Sequence, residues 1–219
     1  MKTNIGWEDA VNPEKIRWMN RYIEFSRSPK ILELGAGAGW YSIYAAGKGA
    51  TVTSLDQAPV FEDKRIDIRT ANIENKLELD NDAYDVVLAW DIIEHVANEK
   101  RLLAEIYRVL KQDGLVLVSV PHADDSRIAG SYLTYCHYKD KTHQREYTPE
   151  TLKNAFQSLG FTIGETRLHG GHGYPYLILN FIDNPFAKLL VKFAIKILIK
   201  TRVIDIKNAH GDIFMVVKR

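Results

Sequence analysis

The sequence predicts an α/β fold in which a doubly wound sheet of seven strands, mostly parallel with an antiparallel last strand, carries helices on both faces. Three observations lead there. Short β-type apolar runs alternate along the chain with segments of helical period, the pattern of a Rossmann-like parallel sheet. The first such run, Ile31-Leu32-Glu33-Leu34, ends in Gly35-Ala36-Gly37-Ala38-Gly39, a glycine-rich strand-to-helix turn. The second, Thr51-Val52-Thr53-Ser54-Leu55-Asp56, closes on an acid about 20 residues beyond those glycines, the interval used by nucleotide-binding α/β domains.

The elements run in chain order. A chain of 219 residues, 46% hydrophobic and 26% charged, suits a single domain over 1–219. An N-terminal helical segment, 1–28, leads in with a helix over 13–26. Strand 30–34 delivers the glycine turn, and glycine's missing Cβ lets the backbone take positive φ and lie directly against a ligand. A helix over 40–48 and strand 51–56 complete the first β-α-β unit. Strands at 66–70 and 84–90, a helix over 98–110 and strand 115–121 continue the alternation. Thr148 as N-cap and Pro149 at the first helical position start a helix over 149–159. Strands 161–168 and 213–218 finish the sheet.

Between those last two strands, 169–211 is an insertion. It begins on Gly170-Gly171-His172-Gly173-Tyr174-Pro175-Tyr176, and Asn184 with Pro185 then opens a helix over 186–200. Lys188, Lys192, Lys196 and Lys200 form one slowly drifting stripe, and the rest of that helix is apolar. At ~1.5 Å per residue it would be about 22 Å long, short of the roughly 30 Å of a hydrocarbon core. Three uses are open: a peripheral membrane surface or lipidic substrate, packing within the fold, or a seam with a second copy in a homodimer.

Composition excludes some classes. A formal net charge of +1 gives no reason to expect a nucleic-acid partner. The single Cys136 cannot form an internal disulfide, and the first residues carry no apolar signal core, so a cytoplasmic protein is expected, with any membrane contact peripheral.

The glycine spacing departs from the dinucleotide fingerprint, in which the third glycine stands three residues beyond the second, and this disfavours an NAD-dependent oxidoreductase. Asp56 is placed to accept hydrogen bonds from both hydroxyls of a ribose. Glu33-Leu34-Gly35-Ala36-Gly37-Ala38-Gly39 resembles the first motif of class I S-adenosylmethionine-dependent methyltransferases. Two further stretches are similar to that family: Asp85 through Val96 at the fourth strand, and Glu105 to Gly114 leading into the fifth. Gln112 and Asp113 depart from the family's usual Lys-Pro-Gly-Gly close.

The resemblance implies S-adenosylmethionine as cofactor. It assigns cofactor contacts to Glu33, Gly35, Gly37, Gly39, Asp56 with Gln57 beside it, Asn72, Ile73, Trp90 and Asp91. Asn72 stands where the family usually has an aspartate for the adenine amine, and its amide oxygen can accept the same bond. Asp91, Glu94 and His95 have ligand types that suit Mg²⁺ or Zn²⁺, but the family's Glu-His-Val shapes the cofactor loop and no metal is expected.

Beyond Pro121, Tyr132, Tyr135, His137, Tyr138, His143 and Tyr147 gather where a small organic acceptor would be held. His143, in a His-x-Arg-x-Tyr lead into the last helix of the core, and His122, at the end of the fifth strand, are the candidate general bases, with a hydrogen-bonded structural role as the alternative for His143. The implied reaction is in-line transfer of the sulfonium methyl group to a small-molecule or lipid-like acceptor, O-methylation being favoured. A non-catalytic S-adenosylmethionine-binding sensor or scaffold is the reading from another class.

Overall fold

The computed structural model describes residues 11–123, 142–169, 182, 184–201, 203 and 211–219. Seven strands form one sheet: β1 (Lys30–Leu34), β2 (Thr51–Asp56), β3 (Ile66–Thr70), β4 (Tyr84–Trp90), β5 (Leu110–Pro121), β6 (Thr162–His169) and β7 (Asp212–Lys218). Their order across the sheet is β3-β2-β1-β4-β5-β7-β6. β7 runs antiparallel to both neighbours, β5 and β6, and the remaining pairs are parallel. The strand order reverses between β1 and β4, where such sheets open a crevice at the carboxyl ends of the strands.

Side-chain alternation builds two cores, because successive residues of a strand face opposite sides of the sheet. Leu32, Leu34, Val87, Ala89, Val116, Val118, Met215 and Val217 face one layer. There they meet Leu102, Leu103 and Ile106 of α3 (Glu99–Val109) and Leu152 and Phe156 of α4 (Pro149–Gln157). Ile31, Val86, Leu88, Leu117, Phe214 and Val216 face the other, against Trp18 and Met19 of α1 (Pro13–Tyr22) and Ala45 of α2 (Trp40–Gly47). Helices therefore cover both faces, as the alternating pattern predicts.

Local chemistry sets most boundaries. Asn12 caps α1 by accepting from the Glu14 amide at 2.9 Å, with Pro13 in the first turn. α1 stops at Tyr22, short of the expected 26, because the chain turns extended at Ile23, which drops its side chain into the core, and Phe25–Arg27 re-forms only as a 3-10 turn. Thr148 and Thr151 bond reciprocally at the start of α4, a capping box with threonine in the place of the usual glutamate. β5 begins at Leu110, five residues before the expected Leu115: Leu110 already pairs with Tyr84, and the ladder then shifts register across a kink in which Asp113 takes φ 65°.

The insertion leaves and rejoins the sheet at one place, since His169 at the end of β6 and Pro121 at the end of β5 both pair with Asp212 at the start of β7. That place is the carboxyl edge, the edge of the glycine turn. Its helix, α5 (Pro185–Lys200), has 16 residues, and among the described residues no helix is long and apolar enough to cross a membrane.

Candidate functional site

The turn after β1 is held by two residues of β2. The Leu55 carbonyl accepts from the Gly35 and Ala36 amides at 2.8 and 3.2 Å. The Asp56 carboxylate accepts from the Gly37 amide at 2.7 Å and the Ala58 amide at 2.8 Å. Gly37 has φ 51° and a Cβ built there would meet nothing within 4 Å, so this stretch of backbone faces open space. At Gly39, with φ 73°, a Cβ would run into the Phe61 ring. Asp56 thus fixes the loop that a ligand would rest on and keeps lone pairs for the ligand itself. Gln57 comes directly after it, exposed.

Glu33 lies beneath the turn and is buried. It accepts a short hydrogen bond from Ser42 Oγ, which in turn stands 2.5 Å from Ser54 Oγ. Burial pushes the Glu33 carboxyl up to about 7, with the Ser42 bonds acting in the opposite direction. This carboxylate-hydroxyl chain ties β1, α2 and β2 together under the glycine turn.

Asp91, at the end of β4, is held in the left-handed region at φ 50°. It accepts from Ser119 Oγ at 2.6 Å and pairs with Lys15 Nζ at 2.5 Å. Lys15 is buried, with its ammonium over the rings of Tyr41 at 5.4 Å and Trp90 at 5.8 Å. Burial is the largest single influence and would lower its pKa, but the charge and hydrogen bond of Asp91, with Tyr41 and Asp212, together hold Lys15 above the usual lysine range. The N-terminal helix therefore supplies a cation to the crevice, a contribution that lies 76 positions from its partner and has no local motif.

The adenine-side residues separate. Asn72 is exposed and its Oδ1 accepts from the Glu74 amide at 2.9 Å, an Asx turn; it also lines a pocket of about 260 Å³ with Leu55, Ala71 and Leu77. Ile73 is buried in the core. Trp90 is buried as well, and its indole Nε1 has no hydrogen-bond partner among the described residues.

Beyond β4 the neighbours Glu94 and His95 meet His143, which comes from far along the chain. Glu94 is 1% exposed, and neither of its carboxylate oxygens has a hydrogen-bond partner among the described residues. Burial pushes its carboxyl up to about 8, and the nearby Asp91 charge adds to this. The His95 and His143 rings meet edge to face with centroids 4.6 Å apart, and Thr142 Oγ1 stands 2.8 Å from His95 Nδ1. One ligating atom each from Glu94, His95 and His143 lies within 4.8 Å of the other two, an arrangement able to hold a divalent cation. Asp91 is not part of it, being engaged with Lys15 and Ser119.

His122 is buried and forms a bridge with Tyr147, whose hydroxyl donates to Glu99 at 2.5 Å. Burial first, and then the Glu99 bond, push the Tyr147 hydroxyl well above the usual phenol range, so it stays a proton donor. Tyr132, Tyr135, His137, Tyr138 and residues 170–176 of the insertion lie outside the described residues. Sequence reasoning missed Lys15, Ser42 and Ser54. A seryl hydroxyl in an apolar helix turn and another inside a β-run were the only signals for the serines.

Residues 10–166 match the family model described as "Methyltransferase domain". A ubiquinone biosynthesis O-methyltransferase of Pseudomonas savastanoi pv. phaseolicola is 29% identical over 119 residues, 50% of this chain and 51% of the relative. A Mycolicibacterium smegmatis protein named "Probable S-adenosylmethionine-dependent methyltransferase" is 29% identical over 146 residues, 62% of this chain and 53% of its own. The chain thus spans about half the length of the curated relatives it matches. The crystal structure of an S-adenosylmethionine-dependent methyltransferase from Mesorhizobium loti superposes with a TM-score of 0.66 at 17% identity, covering 98% of this chain and 100% of that one. At that identity the likeness speaks for the fold.

Proposed function

The chain belongs to the class I S-adenosylmethionine-dependent methyltransferase family, and from that premise we propose that it moves the sulfonium methyl group of S-adenosylmethionine to a small-molecule or lipid-like acceptor, oxygen being the favoured atom. The observation that carries this reading is the Asp56 carboxylate on the Gly37 amide, because it joins the acid for a ribose and the open backbone for a cofactor in one rigid corner. In the proposal Asp56 accepts from the ribose hydroxyls, with Gln57 at the rim. Gly35, Gly37 and Gly39 give the approach to the backbone. Asn72 and Ile73 serve the adenine, and Trp90 and Asp91 line the side nearest the sulfonium. Glu33 acts from beneath, holding α2 against the turn through Ser42.

The chemistry asks little of the protein beyond orientation. The acceptor's lone pair forms the new bond to the methyl carbon as the carbon-sulfur bond breaks in line, and S-adenosylhomocysteine departs neutral at sulfur. A hydroxyl acceptor must give up its proton, and His143 is the proposed base, with His122 as the second candidate. The His143 ring stands against His95 beside the buried Glu94, which is a setting for holding an imidazole in one orientation.

The relative named as a ubiquinone biosynthesis O-methyltransferase supports oxygen as the methylated atom. The test is transfer of a labelled methyl group from S-adenosylmethionine to phenols and prenylated phenols offered in detergent. Labelled product together with stoichiometric S-adenosylhomocysteine is expected. Tight binding of S-adenosylhomocysteine with no transfer to any phenol, lipid or amine acceptor would contradict the proposal.

A further inference from the structure

We propose that α5 docks the protein on an anionic lipid bilayer through the face carrying Phe186, Leu189, Leu190, Phe193 and Ile197. Phe186, Leu189 and Phe193 are 69%, 63% and 64% exposed, far above what large apolar side chains of a helix that serves the core would show. Ile195 is the buried member among the described side chains of the helix, at 6%. At about 100° per residue it stands half a turn round from Phe186 and nearly so from Leu190 and Ile197. Ile195 therefore marks the covered side of the helix, and the phenylalanine and leucine face is turned to the opposite, exposed side. Packing against the described residues, one of the uses open to the sequence, leaves that face exposed.

Charge selects the occupant. Lys192 and Lys196 line one flank of the apolar face, Lys200 follows at its C-terminal margin and Lys188 turns toward the Ile195 side; all four are exposed, and residues 185–200 contain no acid. Two copies laid face to face would bring the flanking lysines of both together with no carboxylate from the helix to answer them. An anionic headgroup layer answers those lysines while the acyl region receives the rings, and lysine stems reach the interface from a helix lying in its plane. Asn184 fixes where the helix starts, its Oδ1 accepting from the Phe186 and Ala187 amides at 2.9 and 3.1 Å. Because the insertion leaves and rejoins the sheet at the carboxyl edge, the docking element is tethered to the edge that bears the cofactor turn. This deepens the lipid-like end of the acceptor range proposed above, although the docking itself stands on the helix alone.

The experiment is co-sedimentation of the full chain with vesicles of phosphatidylglycerol and phosphatidylcholine in equal parts, against pure phosphatidylcholine, with S-adenosylhomocysteine affinity measured on the same samples. Expected are binding to the anionic vesicles, binding at least ~10-fold weaker to the neutral ones and in high salt, and a comparable loss for Phe193→Asp and for Lys192→Glu combined with Lys196→Glu. The variants touch exposed positions and should keep wild-type S-adenosylhomocysteine affinity, which certifies their fold. Wild type left in the supernatant with anionic vesicles would overturn the inference, as would binding indifferent to both variants. A dimer in sedimentation velocity that Phe193→Asp dissociates, with no vesicle binding, would overturn it in favour of a second copy. Loss of S-adenosylhomocysteine binding with vesicle binding intact would instead strike the cofactor reading and leave the docking standing.

Discussion

Among the described carboxyl groups, Glu94 is pushed furthest from its ordinary state. Its carboxyl titrates near 8 in the fold because charging it there means burying an anion without a partner, whereas in the unfolded chain it ionises near 4.5. Between those values the folded state holds a proton that the unfolded state has released. Stability must therefore fall as pH rises through that window and level off above about 8. Glu33, pushed up to about 7, adds a fall of the same sign over a narrower range. Urea unfolding of wild type and Glu94→Gln at pH values inside the window should show a steeper decline for wild type. Equal slopes would mean that the carboxyl is solvated or paired. For His143 the expectation is kinetic: His143→Gln should lower transfer to a hydroxyl acceptor by roughly 10²–10⁴ while leaving S-adenosylhomocysteine affinity near wild type. An unchanged rate would return His143 to a structural role.

At the scale of elements, the parts legible in the sequence are those whose determinants are close along the chain. The glycine turn, the acid ending β2 and the Thr148-Pro149 start of α4 each declare themselves within a few residues, and all three have the geometry their residue types require. Lys15 and Asp91 are joined only by the packing of α1 over the sheet, so their pairing leaves no periodicity or spacing to read. The same holds for Glu94 and His143, brought together when the segment before α4 folds back so that the Gln144 amide donates to the Glu94 carbonyl at 2.7 Å. Two substitutions test the local elements. Gly37→Ala meets no clash but places a Cβ at φ 51°, costing about 1–2 kcal/mol of backbone strain and projecting a methyl group into the space a cofactor would occupy. Cofactor affinity should fall by more than stability suggests. Thr148→Ala removes the cap of α4 at a cost of about 0.5–2 kcal/mol with cofactor affinity unchanged, read by denaturation and calorimetry together.

For the whole molecule, the sheet order explains why so many distant residues converge. The reversal between β1 and β4 brings the glycine turn beside Trp90 and Asp91, and the antiparallel β7 returns the insertion to the same carboxyl edge. Residues 10–166 match the family model, and the exposed basic helix α5 lies beyond them in the chain. The function proposed for that edge depends on whether the corner built by Gly37 and Asp56 takes the cofactor. The direct measurement is calorimetric titration of S-adenosylhomocysteine into wild type and Asp56→Ala, with NADH as the control ligand. Micromolar binding to wild type is expected, with a loss of at least ~10-fold in the variant as charged hydrogen bonds to the ribose disappear, and no binding of NADH. A folded wild type that ignores S-adenosylhomocysteine, or a variant that binds it equally well, would contradict the role given to this corner.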